Sequence, residues 1–260
     1  MAEWAPLERE LDAWRANDQV AGLWWRDDDA GAVTGALERL LTLSTSHRVP
    51  LALATIPQSI APELSEVLAS VDTVCVLQHG FAHRNHAPDG EKKAEYGFHR
   101  PAEEMAAELS KGGRALIEQS LGPGCRSDIL VPPWNRVTPK LDTHLARAGF
   151  RGLSTFSPRA DPRTAAGLRV NNCHLDLLDW RGTGGFVGTG RAVERLVAHL
   201  EGRRTGRVDA DEITGVMSHH QAHDAGCWDF LEELFNRTLG HPAAAWLSVG
   251  DVFPQSGPGG

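Results

Sequence analysis

Apolar positions along this chain alternate between two spacings. Leu7, Leu11 and Trp14 recur at helical intervals with charges between them, which predicts a helix over 6–17. The run from Gln19 to Trp25 reads as a strand, and Val33, Leu37, Leu40 and Leu41 place one apolar face on a helix over 32–46. Pro50 to Ile56 predicts a second strand, Pro62 to Ser70 a short helix, and the β-branched run Thr73 to Gln78 a third strand. A long polar loop over 79–100 follows. Then come a helix over 102–121, a Gly122-Pro123-Gly124 break, a short strand over 129–131, a helix over 138–148 that stops at Gly149, and a strand over 152–156. Residues 157–173 show no clear period. The remainder predicts a strand over 176–180, a glycine-rich loop over 182–190, a helix over 191–201, a strand over 212–218, a helix over 227–239 and a last strand over 244–249.

Alternating strands and helices imply a parallel sheet with helices outside it. About seven strands in 260 residues suit a distorted or incomplete (β/α) barrel better than an open doubly wound sheet. No shift in composition divides the chain. The expectation is therefore a single domain over 1–260, with an N-terminal helix within 1–18 and a frayed tail at 254–260. The 34 acidic residues outnumber the 26 basic ones for a net charge of −8, which argues against nucleic acid or an anionic membrane as partner. The acidic, amphipathic N-terminus lacks the basic-then-apolar pattern of a secretion signal, so a cytoplasmic location is expected. Cys75, Cys125, Cys173 and Cys227 form no CxxC pair and read as reduced thiols. Oligomeric state is not encoded in any readable pattern.

The chemistry-bearing clusters share a position. Asp27-Asp28-Asp29 follows the strand ending at Trp25, His79 follows Leu77-Gln78, and Pro132-Pro133-Trp134-Asn135 follows Val131. Asp179 sits near the end of 175–180, and His219-His220 follows Val216-Met217-Ser218. Each lies at the C-terminal end of a predicted strand, the face where parallel β/α folds build their sites. His79 and His83, four apart, can deliver two nitrogens to one ion, and one aspartate completes a His₂Asp set that leaves room for water.

In order and kind these motifs resemble the polysaccharide deacetylase superfamily (carbohydrate esterase family four, which includes chitooligosaccharide deacetylases), over about 20 to 250. The resemblance implies a metal-dependent hydrolase that removes an acetyl group from an N-acetylated sugar or related small molecule. The first motif, a strand ending in Asp-Asp, admits two registers here. With Arg26 at its first position Asp28 is the base and Asp29 a ligand; the other register uses Asp27 and Asp28. The second motif corresponds to His79-Gly-Phe-Ala-His83 and makes both histidines ligands. The third corresponds to Pro132-Pro133-Trp134-Asn135, whose Trp134 amide would donate to the oxyanion. Val131 stands where the family has an arginine, and Arg136, Arg26 or His223 are candidates to supply that charge. The fourth corresponds to Asp176-Leu-Leu-Asp179-Trp180, with Asp179 as its aspartate and Trp180 as a pocket wall. The fifth, Met217-Ser218-His219, makes His219 the general acid, while His219 with His223 forms an alternative ligand pair. Zinc is the cation implied first, with cobalt, nickel or manganese also compatible. Two other classes stay open: a barrel relative that binds a saccharide or metabolite without catalysis, and a non-haem iron oxygenase, which also uses two histidines and a carboxylate. The Gly182–Gly190 run matches neither common phosphate-binding glycine pattern.

Overall fold

The computed structural model describes residues 2–121 and 126–254. In chain order its elements are α1 (Ala5–Ala16), β1 (Ala21–Ala30), α2 (Gly35–His47), β2 (Leu51–Thr55), α3 (Leu64–Ala69), β3 (Val74–His79), α4 (Ala102–Ala107), α5 (Ala115–Leu121) and β4 (Arg126–Val131). They continue with α6 (Asp142–Arg147), β5 (Gly152–Leu153), β6 (Arg169–Val170), β7 (Leu175–Asp176), α7 (Thr189–Arg204), β8 (Thr214–Ser218), α8 (Ala225–Leu239), β9 (Ala244–Trp246) and α9 (Val249–Val252). Several helices start where a side chain satisfies a free amide: Thr34 accepts from Leu37 at α2, Asp224 from Cys227 at α8, and Ser248 with Asp251 forms a capping box at α9.

All strand pairs are parallel, in the order β6-β5-β4-β3-β2-β1-β8-β7, with β9 beside the start of β1. The two ends of this path, β6 and β7, are halves of one extended segment over 169–176. Its first half bonds the β5 side, through Asn171 N–H to Leu153 O and Cys173 N–H to Thr155 O; its second half bonds β8, through His174 N–H to Gly215 O. The sheet thus curls into a distorted (β/α) barrel, with a seam made by a single crossing segment.

Period-2 alternation sorts the side chains. Trp24, Ala52, Ala54, Leu77, Ile129, Val131 and Met217 fill the barrel interior, whereas Trp25, Leu51, Leu53, Val76 and Val216 face the helices and build the larger core with α1, α2, α7 and α8.

Four local expectations change. β1 does not stop at Trp25 but runs on to Ala30, carrying the aspartates inside the sheet. The strand expected over 176–180 ends at Asp176, and Leu178 instead bridges Phe186 in an antiparallel turn. The helix over 102–121 is interrupted by a π-helical stretch at Glu108–Arg114. There a Cβ on Gly113 would stand 2.2 Å from Gln78 Nε2, so the close approach to β3 requires glycine. The last strand spans only Ala244–Trp246, and α9 follows. The Gly122-Pro123-Gly124 break, Cys125 and the tail beyond 254 lie outside the described residues. Among the described residues no helix is long and apolar enough to cross a membrane.

Candidate active site

Strand alternation places Arg26 and Asp28 on the inner face of β1 with Trp24, and Asp27 on the outer face with Trp25. The Arg26 guanidinium is fully buried. It grips Asp28 with two parallel hydrogen bonds, Nε to Oδ1 at 2.9 Å and Nη2 to Oδ2 at 3.0 Å. It also donates to Ser154 Oγ, Thr155 O and Asn135 Oδ1. Burial alone would lower the Arg26 pKa, but the Asp28 carboxylate outweighs it and holds the guanidinium charged. On the other face Asp27 accepts from Ser218 Oγ at 2.6 Å and from the His220 amide at 3.0 Å, and pairs with His220 Nδ1 at 2.5 Å. Both oxygens of Asp27 are therefore engaged away from the barrel mouth. The β1–β2 register shifts between Asp27 and Ala30, and Asp29 takes φ 71°. This bulge swings the third aspartate out of the alternation and over the mouth.

Asp29 Oδ1 lies 3.0 Å from His79 Nε2 and 3.2 Å from His83 Nε2. His79 Nδ1 stands 3.0 Å from Val131 O, and a carbonyl only accepts, so the ring hydrogen is on Nδ1 and Nε2 turns a lone pair toward Asp29. Asp29 Oδ1 is itself buried without a hydrogen-bond donor. A contact of this kind is held together by a positive charge, either a proton on Nε2 or a cation between the rings and the carboxylate. Burial opposes that charge, yet the two imidazoles hold the Asp29 carboxyl far below its usual range, and Asp29 in turn raises the His79 pKa. The donor set fits a divalent cation: two imidazole nitrogens and one carboxylate oxygen, with one ring oriented by a carbonyl.

The His79–His83 turn is held from below by Glu95, a buried carboxylate at the end of the long loop. It accepts from the amides of Phe81 at 3.2 Å and Ala82 at 2.8 Å. Sequence reading gave Glu95 no role, because a carboxylate that binds only backbone amides fourteen residues away belongs to no motif. Left-handed backbone gathers around the site at Asp29, Gly80, His83, Trp134 and Asn135, a concentration of strain found at functional centres. The Trp134 ring packs 4.4 Å from that of His83.

Across the mouth, β8 delivers His219 inward, while His220 turns outward to Asp27. His219 Nδ1 faces Asp176 Oδ1 at 3.9 Å, and the Trp180 ring stands edge-on to it at 5.0 Å. Trp180, 55% exposed, donates from Nε1 to Asp176 Oδ2 at 2.9 Å. Burial raises the Asp176 pKa against the opposing charge of His219. This corrects the choice of Asp179, whose carboxylate instead serves the glycine-rich loop, accepting from the Gly182 amide and Arg191 Nη1. The strand ends at Asp176, so the earlier of the two aspartates lies at the mouth. The alternative ligand pair also fails: His223 Nε2 accepts the His219 amide hydrogen, and its lone pair is occupied.

A second group of metal-ligating types, His174, His199 and Glu212, lies fully buried beneath the barrel. Here the His174 ring hydrogen points the wrong way for a cation. The Gly215 amide donates to His174 Nδ1, so the neutral ring carries its hydrogen on Nε2, directed at Glu212 Oε2 3.3 Å away. The two rings are also stacked at 3.3 Å and 15°, which prevents an ion from lying in both ring planes. This cluster is a buried carboxylate with imidazole neighbours.

No protein-family model matches the chain, and no curated protein sequence matches it. Among solved structures it is similar to a putative polysaccharide deacetylase from Mycobacterium smegmatis, at 16% identity and TM-score 0.65, over 90% of this chain and 89% of that one. It is similar to a family 4 acetyl xylan esterase from Clostridium thermocellum in complex with a cobalt ion, at 13% identity and TM-score 0.53, over 89% and 90%. A mutant of a family 4 pseudoenzyme is also similar, at 13% identity and TM-score 0.55, over 91% of this chain and 68% of that one. Active and inactive proteins share this architecture, so the likeness speaks to fold and the site must speak to chemistry. The chain has the fold of the polysaccharide deacetylases.

Proposed function

We propose that this protein is a metal-dependent hydrolase that removes the acetyl group from an N-acetylated sugar or a related small molecule. The observation that carries the reading is the convergence of Asp29, His79 and His83 on one undonated carboxylate oxygen, with Asp28 held beside them by a buried arginine. A divalent cation there, zinc by its preference for this nitrogen and oxygen set, supplies Lewis acidity and makes water ionisable near neutral pH. Cobalt, nickel or manganese suit the same ligands.

The chain's own residues take the remaining roles. Asp28 accepts the proton of the attacking water, and the Arg26 fork fixes the direction in which its free lone pairs point. Arg26 supplies Asp28 with a guanidinium although Val131 stands where the resembling family has its arginine, which supports an active site rather than a binding-only relative. The Trp134 amide donates to the developing oxyanion, a contact whose loss typically costs about 10²–10³ in rate. His219, with Asp176 on its Nδ1 side, delivers a proton from its other nitrogen to the departing amine. Trp180 offers an exposed aromatic wall suited to a sugar face. The substrate proposed is a mono- or oligosaccharide or a small N-acyl compound.

The test is acetate release from N-acetylated mono- and oligosaccharides by zinc-loaded protein, with bound zinc measured by mass spectrometry. Asp28→Asn is expected to lose about 10²–10⁴ of the rate while keeping its zinc. His79→Ala is expected to lose both. Full zinc content in His79→Ala, or no acetate from any substrate, overturns the reading.

A further inference from the structure

Beside the carboxylate–imidazole centre, at the same pole of the barrel, lies a cavity of about 710 Å³. It opens between the long loop, the segment after Trp134 and the segment after β5. Most of its exposed wall is apolar, with Tyr96, Phe98, Val137, Leu145 and Leu153 contributing. The charged Glu91, Lys92, Arg136 and Asp142 also line it. Phe98 at its edge is 64% exposed, with Lys140 Nζ 5.9 Å from its ring centre. The volume falls within the range of cavities that take small organic ligands. The apolar part of this wall rewards burial of alkyl or aryl surface.

The cavity and the site share residues. Asn135 and Thr155 line the cavity, and the same two accept hydrogen bonds from the Arg26 guanidinium that holds Asp28. A substrate positioned against Asp28 therefore has an apolar chamber one residue away.

We propose that this cavity binds an apolar chain carried by the substrate, so that the enzyme acts on an amphipathic N-acylated amino sugar rather than on an unsubstituted polysaccharide. This rests on the deacylase reading of the adjacent site. The chain can be the group attached at the anomeric carbon or the acyl group that is cleaved. In either case the bond broken is the amide C–N, with water supplying hydroxyl to the acyl carbon and hydrogen to the amine.

The experiment compares zinc-loaded protein on methyl and octyl glycosides of N-acetylglucosamine, and on N-octanoylglucosamine. Octyl over methyl in kcat/KM by at least about tenfold identifies the anomeric group as the occupant. N-octanoyl over N-acetyl by a similar factor identifies the acyl group. In both cases the preference falls toward one in Ala87→Trp and Ala165→Trp, which fill the cavity from small lining positions. Equal rates across the series overturn the proposal and leave the deacetylase reading standing. Binding of octyl glucoside, which has no amide, is measured separately by calorimetry below its micelle concentration. Binding that the tryptophan variants abolish supports the cavity even if no substrate is hydrolysed, whereas no heat of binding overturns it.

Discussion

At the scale of single residues, the decisive side chain is Arg26. It is fully buried, and its charge is compensated by Asp28 with additional acceptors at Ser154, Thr155 and Asn135. Removing one member of such a pair strands the other charge, typically at a cost of about 3–5 kcal/mol. Arg26→Met is therefore expected to lose stability by about that amount in urea unfolding, together with most activity. The Arg26→Met, Asp28→Asn double variant should regain part of the stability but none of the activity. Equal stability of the single and double variants would show that the pair is not what holds this part of the barrel. Where the resembling family has an arginine ahead of the prolines this chain has Val131, and a guanidinium two positions before Asp28 on β1 pairs with that carboxylate. One sequence could offer Arg26 only as one of three candidates. The inner face shared by positions 26 and 28 is what brings the fork to the carboxylate.

At the scale of elements, one short segment positions His79 and His83. The turn after β3 needs Gly80 at φ 60°, where a Cβ would stand 2.2 Å from Glu95 Oε2 and 2.6 Å from Pro133 Cδ. Gly80→Ala is expected to cost more than about 1 kcal/mol and to weaken zinc binding, because Glu95 cannot then hold the amides that fix His83. Zinc titration alongside thermal unfolding checks both. The cluster joining β7, α7 and β8 sets a pH dependence. Burial holds His174 down at about 4, against an ordinary value of 6.5. Between those values the unfolded chain binds more protons than the folded one, so stability falls as pH drops from about 6.5 to 4. Glu212, which the two imidazoles hold low against its burial, adds a further loss below its ordinary 4.5. Urea unfolding at several pH values should show a shallower decline in His174→Gln than in the wild type. An unchanged slope would remove His174 as a source of the acid sensitivity.

At the scale of the whole molecule, barrel closure depends on one segment, and Asn172 is its fastener. Its Oδ1 accepts from the Thr155 amide and hydroxyl, its Nδ2 donates to Ser157 O, its amide donates to Glu212, and its carbonyl accepts from Trp24 Nε1. Asn172→Ala removes the three side-chain bonds to half-buried Thr155 and exposed Ser157, each worth a net of about 0.5–1.5 kcal/mol, so a stability loss of about 1–3 kcal/mol is expected. Hydrogen exchange should quicken along 153–157 and 171–176 before the rest of the sheet. Uniform exchange would mean that the seam is no weaker than the other staves. Because a bound ion stabilises the state that binds it, zinc should also raise the melting temperature of the wild type but not of His79→Ala.

The sequence by itself determined the β/α alternation, the barrel with its helices outside, and the pole at which the polar clusters would meet. Apolar periodicity and glycine or proline breaks are local signals, and they survive folding. His79 and His83 were also legible from their four-residue spacing, and the strand-end triplet offered their carboxylate with its register open. Tertiary structure decided what spacing cannot express. It turned Asp27 outward to His220 and Asp28 inward to Arg26. It bent Asp29 over the mouth with a bulge, chose Asp176 over Asp179, and brought Glu95 under the histidine turn. Each of these depends on which face of a strand points inward, or on partners far apart along the chain. Such relations exist only once the barrel has closed.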